Sequence, residues 1–402
     1  MCTSIILVRP MKQIIAFELR KLFRNRLILF MLILFGILNL CRICSDHRRN
    51  TGGEKSYWDG RSTVYHEVSG PWDNEKIRYV LAEYEKAKAV IDAGGYSTEP
   101  DQPGTHTGFV FGDWGLFEQI KDDMDRLYHY DSTMADLTQK ASENAAFYAQ
   151  KGNSEAARRN QKIADTYQNR RVTAFYDTWG TELYLKYDFS TLLILMLMIP
   201  MLSPLFAREH ESGMHALLRL TPDYRKLPYA KLLAGLIAVT LVSLFFFAED
   251  FLTFRYLYQI RGLSQPVYSL PDFFYSPLTC SIGCYLLLNA ALKLLGLLVL
   301  AGICTAVSAA VKHELIPFCC ASAAALILLL ADAFLDSTVL SVLNPVTLFW
   351  CGRLFRDFQT ISVCGIPVFS FRMPVLAAAL EWLLLSVLTV ALGRLSVRTR
   401  RR

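Results

Sequence analysis

The sequence predicts an all-α polytopic membrane protein with six transmembrane helices and a large, mainly helical extracytoplasmic domain between helices 1 and 2. Two observations support this fold class. Of the 402 residues, 53% are hydrophobic, above the usual share in soluble domains, and most of them fall in six apolar runs that are long enough to cross a bilayer. A single polar and charged stretch, residues 45–188, interrupts this pattern.

The apolar runs set the expected spans. We expect them at residues 27–44, 189–207, 232–248, 287–311, 315–331 and 375–393. Residues 278–311 are too long for one crossing, so we expect an interfacial helix ahead of the fourth span. Pro200 and Pro204 predict a kink in the second span, because proline removes a helix hydrogen bond and crowds the preceding turn.

Residues 45–188 differ from the rest of the chain in charge. They hold 24 acidic and 18 basic residues, whereas 36 − 24 = 12 acidic and 42 − 18 = 24 basic residues remain for the other parts. Asp73 is a good N-cap for an amphipathic helix that Gly94 and Gly95 would close. The length of the stretch and its lack of cysteine predict one soluble helical domain without disulfides.

The distribution of basic residues predicts the orientation. If both termini are cytoplasmic, 17 of the 24 basic residues outside the insert lie on the cytoplasmic side, as the positive-inside rule requires. Residues 1–44 then form a cytoplasmic amphipathic helix and the first span. Residues 45–188 form the extracytoplasmic domain, and residues 189–402 carry spans two to six.

The stretch 208–231, between the second and third spans, is dense in charge. It starts with acidic residues, which a helix macrodipole favours near the start of a helix. Apolar residues then recur at helical spacing, a proline ends the helix, and basic residues mark the edge of the next span. The candidate docking residues are Arg208, Glu209, Glu211, Gly213, Met214, Leu217, Leu218, Pro222 and Arg225.

This order resembles the permease subunits of ABC-2 type exporters. In that family the second span is followed by Phe-x-Arg/Glu-Glu-x-x-x-Gly, an apolar helix, a Thr-Pro turn, an Arg and a Lys. The matching residues are Phe206, Arg208, Glu209, Glu211, Gly213, Leu217, Leu218, Thr221, Pro222, Arg225 and Lys231. The resemblance covers this stretch directly and the rest of the chain only through the order of the spans.

The resemblance implies a role for the stretch and a set of partners. The stretch would be a coupling helix that docks on a separate ABC ATPase subunit. This chain would bind no cofactor itself, since ATP and Mg²⁺ would belong to the partner. It would work in the lipid bilayer of a bacterial plasma membrane as a homodimer or with a sister permease. The alternative is an ordinary interfacial loop with membrane-edge charges.

Motifs for catalysis are missing from the sequence. It has no GxxxxGK[ST], so the chain does not bind ATP through a P-loop. His210-Glu211 and His313-Glu314 lack the second histidine of HExxH, and no GxSxG occurs. We therefore expect no catalytic residue, no metal site and no enzyme activity in this chain. The scattered bases of the insert predict no nucleic-acid interface.

Two charged residues fall inside predicted spans. Lys293 lies in the fourth and Glu381 in the sixth, and each costs roughly 2.5–3.5 kcal/mol at the centre of a membrane helix. They are candidates for an intramembrane path or for a mutual ion pair. Snorkelling of both side chains to an interface is the alternative.

A second class of function fits the same spans. The chain would then be a membrane-anchored receptor or sensor, whose extracytoplasmic helical domain binds a ligand without transport. Such a protein needs no cytoplasmic docking helix. The two hypotheses differ in whether a partner hydrolyses ATP.

Overall fold

The computed structural model describes residues 10–52, 55–95, 102–218, 224–335, 337–363 and 365–398. Within these residues, six helical segments are long and apolar enough to cross a membrane. They are Arg26–Thr51, Trp179–Glu211, Tyr224–Leu257, Ile282–Ala310, Leu315–Phe334 and Arg372–Leu395. The chain is therefore a largely helical protein with six candidate membrane spans, as predicted.

The described residues contain seventeen α-helices, four short 3₁₀ helices and two short antiparallel strand pairs. The helices are α1 (Met11–Phe23), α2 (Arg26–Thr51), α3 (Lys55–Val68), α4 (Asn74–Asp92), α5 (Val110–Tyr128), α6 (Tyr130–Gln150), α7 (Ser154–Tyr167), α8 (Trp179–Leu185), α9 (Phe189–Leu202), α10 (Pro204–Glu211), α11 (Met214–Leu218), α12 (Leu227–Leu257), α13 (Ile282–Ala310), α14 (Leu315–Phe334), α15 (Thr338–Leu343), α16 (Gly352–Phe355) and α17 (Arg372–Arg398). Strand β1 (Gly70–Pro71) pairs with β2 (Ala174–Phe175), and β3 (Thr360–Val363) pairs with β4 (Ile366–Phe369).

The second span lies at the centre of the bundle. Helix α9 is apolar on every face, and such a helix is stable only when it is surrounded. Of the most apolar window of this span, 72% is buried, against 17% for the fifth and sixth spans. The open apolar faces of α14 and α17 suit contact with lipid or with another membrane protein.

The bundle has two distinct ends. Helices α1, α10 and α11 lie at one of them, which we call the α1 end, and the Arg394 guanidinium of the last span lies over the ring of Tyr229 there. The helices α3–α7 lie at the other, the insert end. The first and last described residues therefore approach the same end, and its placement in the cytoplasm stays a prediction.

The insert is helical, as expected, but its packing extends beyond residues 45–188. The hydrophobic core of α3–α7 includes Tyr268, from the connection after the third span. The rings of Tyr130 and Tyr268 stack with centroids 4.8 Å apart. The Arg170 guanidinium donates to the carbonyl oxygens of Ser276 at 2.6 Å and Pro277 at 3.0 Å. The connection between spans three and four thus completes the insert.

The hairpin of β3 and β4 attaches the last connection to the same assembly. Arg158 of α7 donates through Nη1 to the Gly365 carbonyl oxygen at 2.9 Å, and Lys162 donates to the Pro367 carbonyl oxygen. The Lys162 ammonium also lies 4.2 Å from the centre of the Phe369 ring. Burial lowers the pKa of Lys162, and the nearby charge of Arg372 lowers it further. The region between spans five and six is thereby held against α7.

The predicted helix ends inside the insert are confirmed. The Asp73 side chain accepts a hydrogen bond from the Glu75 N–H at 2.9 Å and caps α4. Helix α4 ends before Gly94, whose φ of +72° is the left-handed conformation that glycine adopts at low cost. Both ends of α4 could therefore be predicted from the local sequence alone.

Two span boundaries differ from the predictions. The expected interfacial helix before span four is wrong, because α13 is one helix of 29 residues. Its start is fixed by Ser281, whose hydroxyl oxygen accepts from the Cys284 N–H at 3.3 Å. The predicted proline kink in the second span is a break: α9 contains Pro200 and ends at Leu202, and α10 restarts with Pro204 in its first turn.

Candidate functional site

The predicted docking residues surround a short helix at the α1 end. Helix α10 ends at Glu211, Gly213 then turns the chain with a φ of +73°, and the five residues of α11 follow. The side chains of Met214 and Leu217 are 48% and 60% exposed. Arg208 and Arg225 are also exposed, and Leu218 is half-buried. Pro222 lies outside the described residues, together with Thr221.

Glu209 is not exposed, and its carboxylate is held inside the chain. Its Oε1 accepts from the Lys21 ammonium at 2.8 Å, and its Oε2 lies 2.5 Å from the Lys231 ammonium. Lys231 is 2% exposed and also donates to the Leu205 carbonyl oxygen at 2.8 Å. A second buried carboxylate, Glu18, lies 3.8 Å from Lys21. We call Glu18, Lys21, Glu209 and Lys231 the Glu209 cluster.

The Glu209 cluster changes the role that the sequence suggested for Glu209. A carboxylate that is buried between two ammonium groups is not available to a docking protein, so it joins helices instead. It links α10 to both α1 and α12. Burial raises the pKa of Glu18, whereas the charges of Lys231 and Lys21 act to lower it. Sequence spacing missed this contact because Lys21 and Glu209 are 188 positions apart.

Glu211 makes a different contact at the same end. Its Oε2 accepts from the Glu314 N–H at 2.8 Å, in the short turn between spans four and five. This contact is exposed, so water competes for it and the carboxylate remains accessible. The end of α10 therefore adjoins the α13–α14 turn.

Lys293 pairs with Asp188 and not with Glu381. The ammonium lies 2.6 Å from Asp188 Oδ1 and 3.2 Å from the Tyr187 carbonyl oxygen. The predicted pairing of Lys293 with Glu381 across the bundle is therefore wrong, because the partner comes from the start of the second span. Glu381 is half-exposed on α17. An intramembrane path through these residues stays a prediction.

A second polar network lies beside that ion pair. Asn39 of α2 donates to Asp250 Oδ1 at 2.7 Å, and the Ser190 hydroxyl donates to Asp250 Oδ2 at 2.5 Å. The Tyr187 hydroxyl donates to Asn39 Oδ1 at 2.7 Å. Since unsatisfied polar groups are costly inside a bilayer, these bonds fix the insert-end halves of the first three spans relative to each other.

The insert end contains a cavity that the sequence did not indicate. It has a volume of ≈ 490 Å³ and lies between the ends of α2 and α12, helix α3 and the start of α8. Arg61 lies in its wall, where Nη1 and Nη2 donate to the two carboxylate oxygens of Asp177 at 2.5 and 3.0 Å. The guanidinium is also 4.3 Å from the Tyr65 ring centre and 5.1 Å from that of Trp179.

The Arg61 guanidinium is held by two hydrogen bonds to Asp177 and stays charged. Burial opposes the guanidinium charge, but the hydrogen bonds and the charge of Asp177 hold the pKa of Arg61 above its usual value. Burial raises the pKa of Tyr65, which therefore stays neutral. The pair is 116 positions apart in the sequence. The only local signal was an arginine among aromatic residues in α3.

The described part of the chain shows neither a group of metal ligands nor a disulfide. No group of three or more histidine, cysteine, aspartate or glutamate side chains is arranged to hold a metal ion there. The eight cysteines that the described ranges contain are all free thiols.

The six apolar helices and the helical insert define a multi-pass membrane protein. No family model, curated protein or solved structure matches this chain.

Proposed function

We propose that this chain is the membrane-spanning permease subunit of an ABC-2 type exporter. A separate ABC ATPase subunit would dock on α11 and supply the energy, with ATP and Mg²⁺ bound on that partner. The permease would act as a homodimer or with a sister permease in a bacterial plasma membrane, with both termini cytoplasmic. It would perform transport and no enzymatic step of its own.

The observation that supports this proposal most is that the Glu209 cluster connects α10, the helix directly before α11, to the bundle. Met214 and Leu217 present an exposed apolar surface that a groove on another protein can receive. A few residues before them, Glu209 is bound to α1 through Lys21 and to α12 through Lys231. A displacement of α11 would therefore reach α1 and spans two and three together.

The other contact at this end extends the same argument. Because Glu211 accepts from the Glu314 N–H, a displacement of α10 also reaches spans four and five. Arg208 and Arg225, both exposed, flank the apolar surface and can pair with acidic groups on a docking protein.

The experiment is co-purification of ATPase activity in mild detergent. The tagged chain is expressed with the proteins encoded beside it, and the pull-down is compared with a Met214→Glu/Leu217→Glu variant. We expect ATPase with the unchanged chain and its loss in the variant, because two carboxylates cannot enter an apolar groove without large desolvation.

A Lys12→Gln/Gln13→Glu variant is the matched control, since it changes the charge of the α1 end by the same amount on exposed residues of another helix. Equal recovery of ATPase with all three forms would show that α11 is not the docking surface. An unchanged chain that brings down no ATPase would overturn the permease proposal.

The cavity at the insert end favours the alternative function, a membrane-anchored receptor or sensor. Its wall joins the insert to α2 and α12, so a bound molecule would contact the insert and two spans at once. Ligand binding without any associated ATPase would favour this alternative.

A further inference from the structure

The cavity at the insert end has one aromatic side. Trp58 and Trp179 stack with ring centroids 4.8 Å apart, and Trp179 meets the edge of Tyr258 at 5.2 Å. Leu257 adds an aliphatic surface. Such a wall binds an apolar body by excluding water from flat ring faces. It is preformed, because the rings pack on one another and on the Arg61–Asp177 pair.

The charged side of the cavity is mainly basic. Arg61 is neutralised by Asp177, so it contributes little net charge. Arg48 and Arg261 are exposed, and no carboxylate of the described residues lies within ion-pair distance of either. Among the described residues of the wall, Asp59 is the remaining acidic side chain. These described residues therefore carry two cationic groups, Arg48 and Arg261, against one anionic group.

Two histidines also lie in the wall of the cavity. His66 is exposed in the wall, and His47 stands edge-on to Tyr258 with ring centres 4.8 Å apart. The His47 Nδ1 atom is buried and has no hydrogen-bond partner among the described residues. The headgroup of a ligand in the cavity would meet the exposed His66 ring and the two arginines.

The position of the cavity is that of a membrane interface. It lies where α2 and α12 reach their ends, next to the insert, and Tyr256, one residue before Leu257 of the wall, is 84% exposed. Aromatic and basic side chains concentrate where spans leave the apolar layer, at the depth of lipid headgroups. A molecule with one apolar and one charged part is oriented correctly for this site before it enters.

We propose that this cavity binds an anionic amphiphile, with a phosphate or carboxylate group beside Arg48 and Arg261 and an apolar part against Trp179 and Tyr258. Arginine suits either anion, because its planar fork donates two parallel hydrogen bonds. The proposal does not depend on transport and holds for a permease or a sensor. The amphiphile is either a membrane lipid or a free organic acid.

The test measures binding to the full-length chain purified in neutral detergent, without any ATPase. The probes are dihexanoyl phosphatidylglycerol, dihexanoyl phosphatidylcholine, decanoate and inorganic phosphate. We expect the two anionic amphiphiles to bind more tightly than phosphatidylcholine or phosphate. In an Arg48→Gln/Arg261→Gln variant their affinity should fall roughly tenfold or more, because charged hydrogen bonds are lost.

An Arg49→Gln/Arg255→Gln variant is the matched control. It removes the same charge from exposed positions at the same level, outside the cavity wall, and should bind like the unchanged chain. Tighter binding of phosphatidylglycerol than of decanoate would assign a lipid, and the reverse would assign a free acid. Equal affinity in both variants, or binding of phosphate as tight as that of the amphiphiles, would overturn the proposal.

Discussion

The two ends of the bundle each contain a buried ionic contact, and these contacts are built differently. At the α1 end, the Glu209 cluster places two carboxylates and two ammonium groups among three helices. At the insert end, one guanidinium and one carboxylate form the planar Arg61–Asp177 pair, with the rings of Tyr65 and Trp179 against it. Lysine is a flexible point charge, whereas arginine offers a rigid fork.

This difference indicates different uses. Within the Glu209 cluster, each carboxylate can exchange one ammonium group for the other and still remain in an ion pair. This property suits an end where helices shift against one another. The Arg61–Asp177 pair has one geometry and supports the wall of a cavity. We infer that the α1 end is suited to transmitting displacement and the insert end to holding a bound molecule in place.

The largest effect is expected for Glu209→Gln. Lys231 is 2% exposed, so loss of its nearest carboxylate leaves a buried charge poorly compensated. The free energy of unfolding should fall by about 3 kcal/mol, as for other broken buried pairs. Thermal unfolding of the purified chain in detergent measures this.

Two variants make that result specific. Glu211→Gln keeps an exposed acceptor for the Glu314 N–H and should change stability by less than about 1 kcal/mol. A Glu209→Met/Lys231→Met double variant should recover much of the loss, since a buried ion pair is often replaceable by apolar side chains. Equal losses of stability for Glu209→Gln and Glu211→Gln would show that the buried Glu209 cluster stabilises the α1 end no more than the exposed contact of Glu211 does.

A smaller effect is expected for Arg61→Lys at the insert end. The charge remains, but the second hydrogen bond to Asp177 and the flat contact with Tyr65 are lost. A loss of about 2 kcal/mol follows for a charged hydrogen bond inside a protein. Thermal unfolding and the rate of proteolysis of the insert measure it.

Arg78→Lys, at an exposed position of α4, is the control and should stay within about 0.5 kcal/mol of the unchanged chain. If Arg61→Lys behaves like Arg78→Lys, the fork geometry of arginine is not what stabilises the insert end, and the contrast between the two ends fails.

The smallest effect concerns the ion pair of Lys293 and Asp188, which lies in the insert-end half of the bundle. A double-mutant cycle of Lys293→Met and Asp188→Asn should give a coupling energy of about 1 kcal/mol, in the range of polar contacts between membrane helices. The same cycle with Glu381→Gln in place of Asp188→Asn should be additive, because Lys293 contacts Asp188 instead. Coupling to Glu381 would contradict the structure and restore the path across the bundle.

Most of the fold was predictable because its signals are local. Apolar runs of membrane-spanning length gave all six spans, and the capping side chain of Asp73 gave the start of α4. The start of α13 was missed because Leu278 and Cys280, directly before Ser281, pack against the connection between spans three and four. Composition alone does not distinguish that packing from an interfacial helix.

The candidate sites were less predictable, because each depends on residues far apart in the sequence. The stretch around α11 was found from its charge pattern, but the partners of Glu209 come from residues 21 and 231. The cavity was not found at all, since its wall combines α2, α3, α8 and the end of α12. No local pattern connects Arg48 to Arg261.

The shared core of the insert has a consequence for synthesis. Residues 64–175 leave the ribosome early, yet their core also needs Tyr268 and packs against Phe274 and Phe358. The insert therefore cannot complete its packing until five of the six spans have been made. Its helices wait partly assembled during translation of 358 − 175 = 183 further residues. A chain that is cut short before the β3–β4 hairpin leaves an unfinished apolar surface for quality control to recognise.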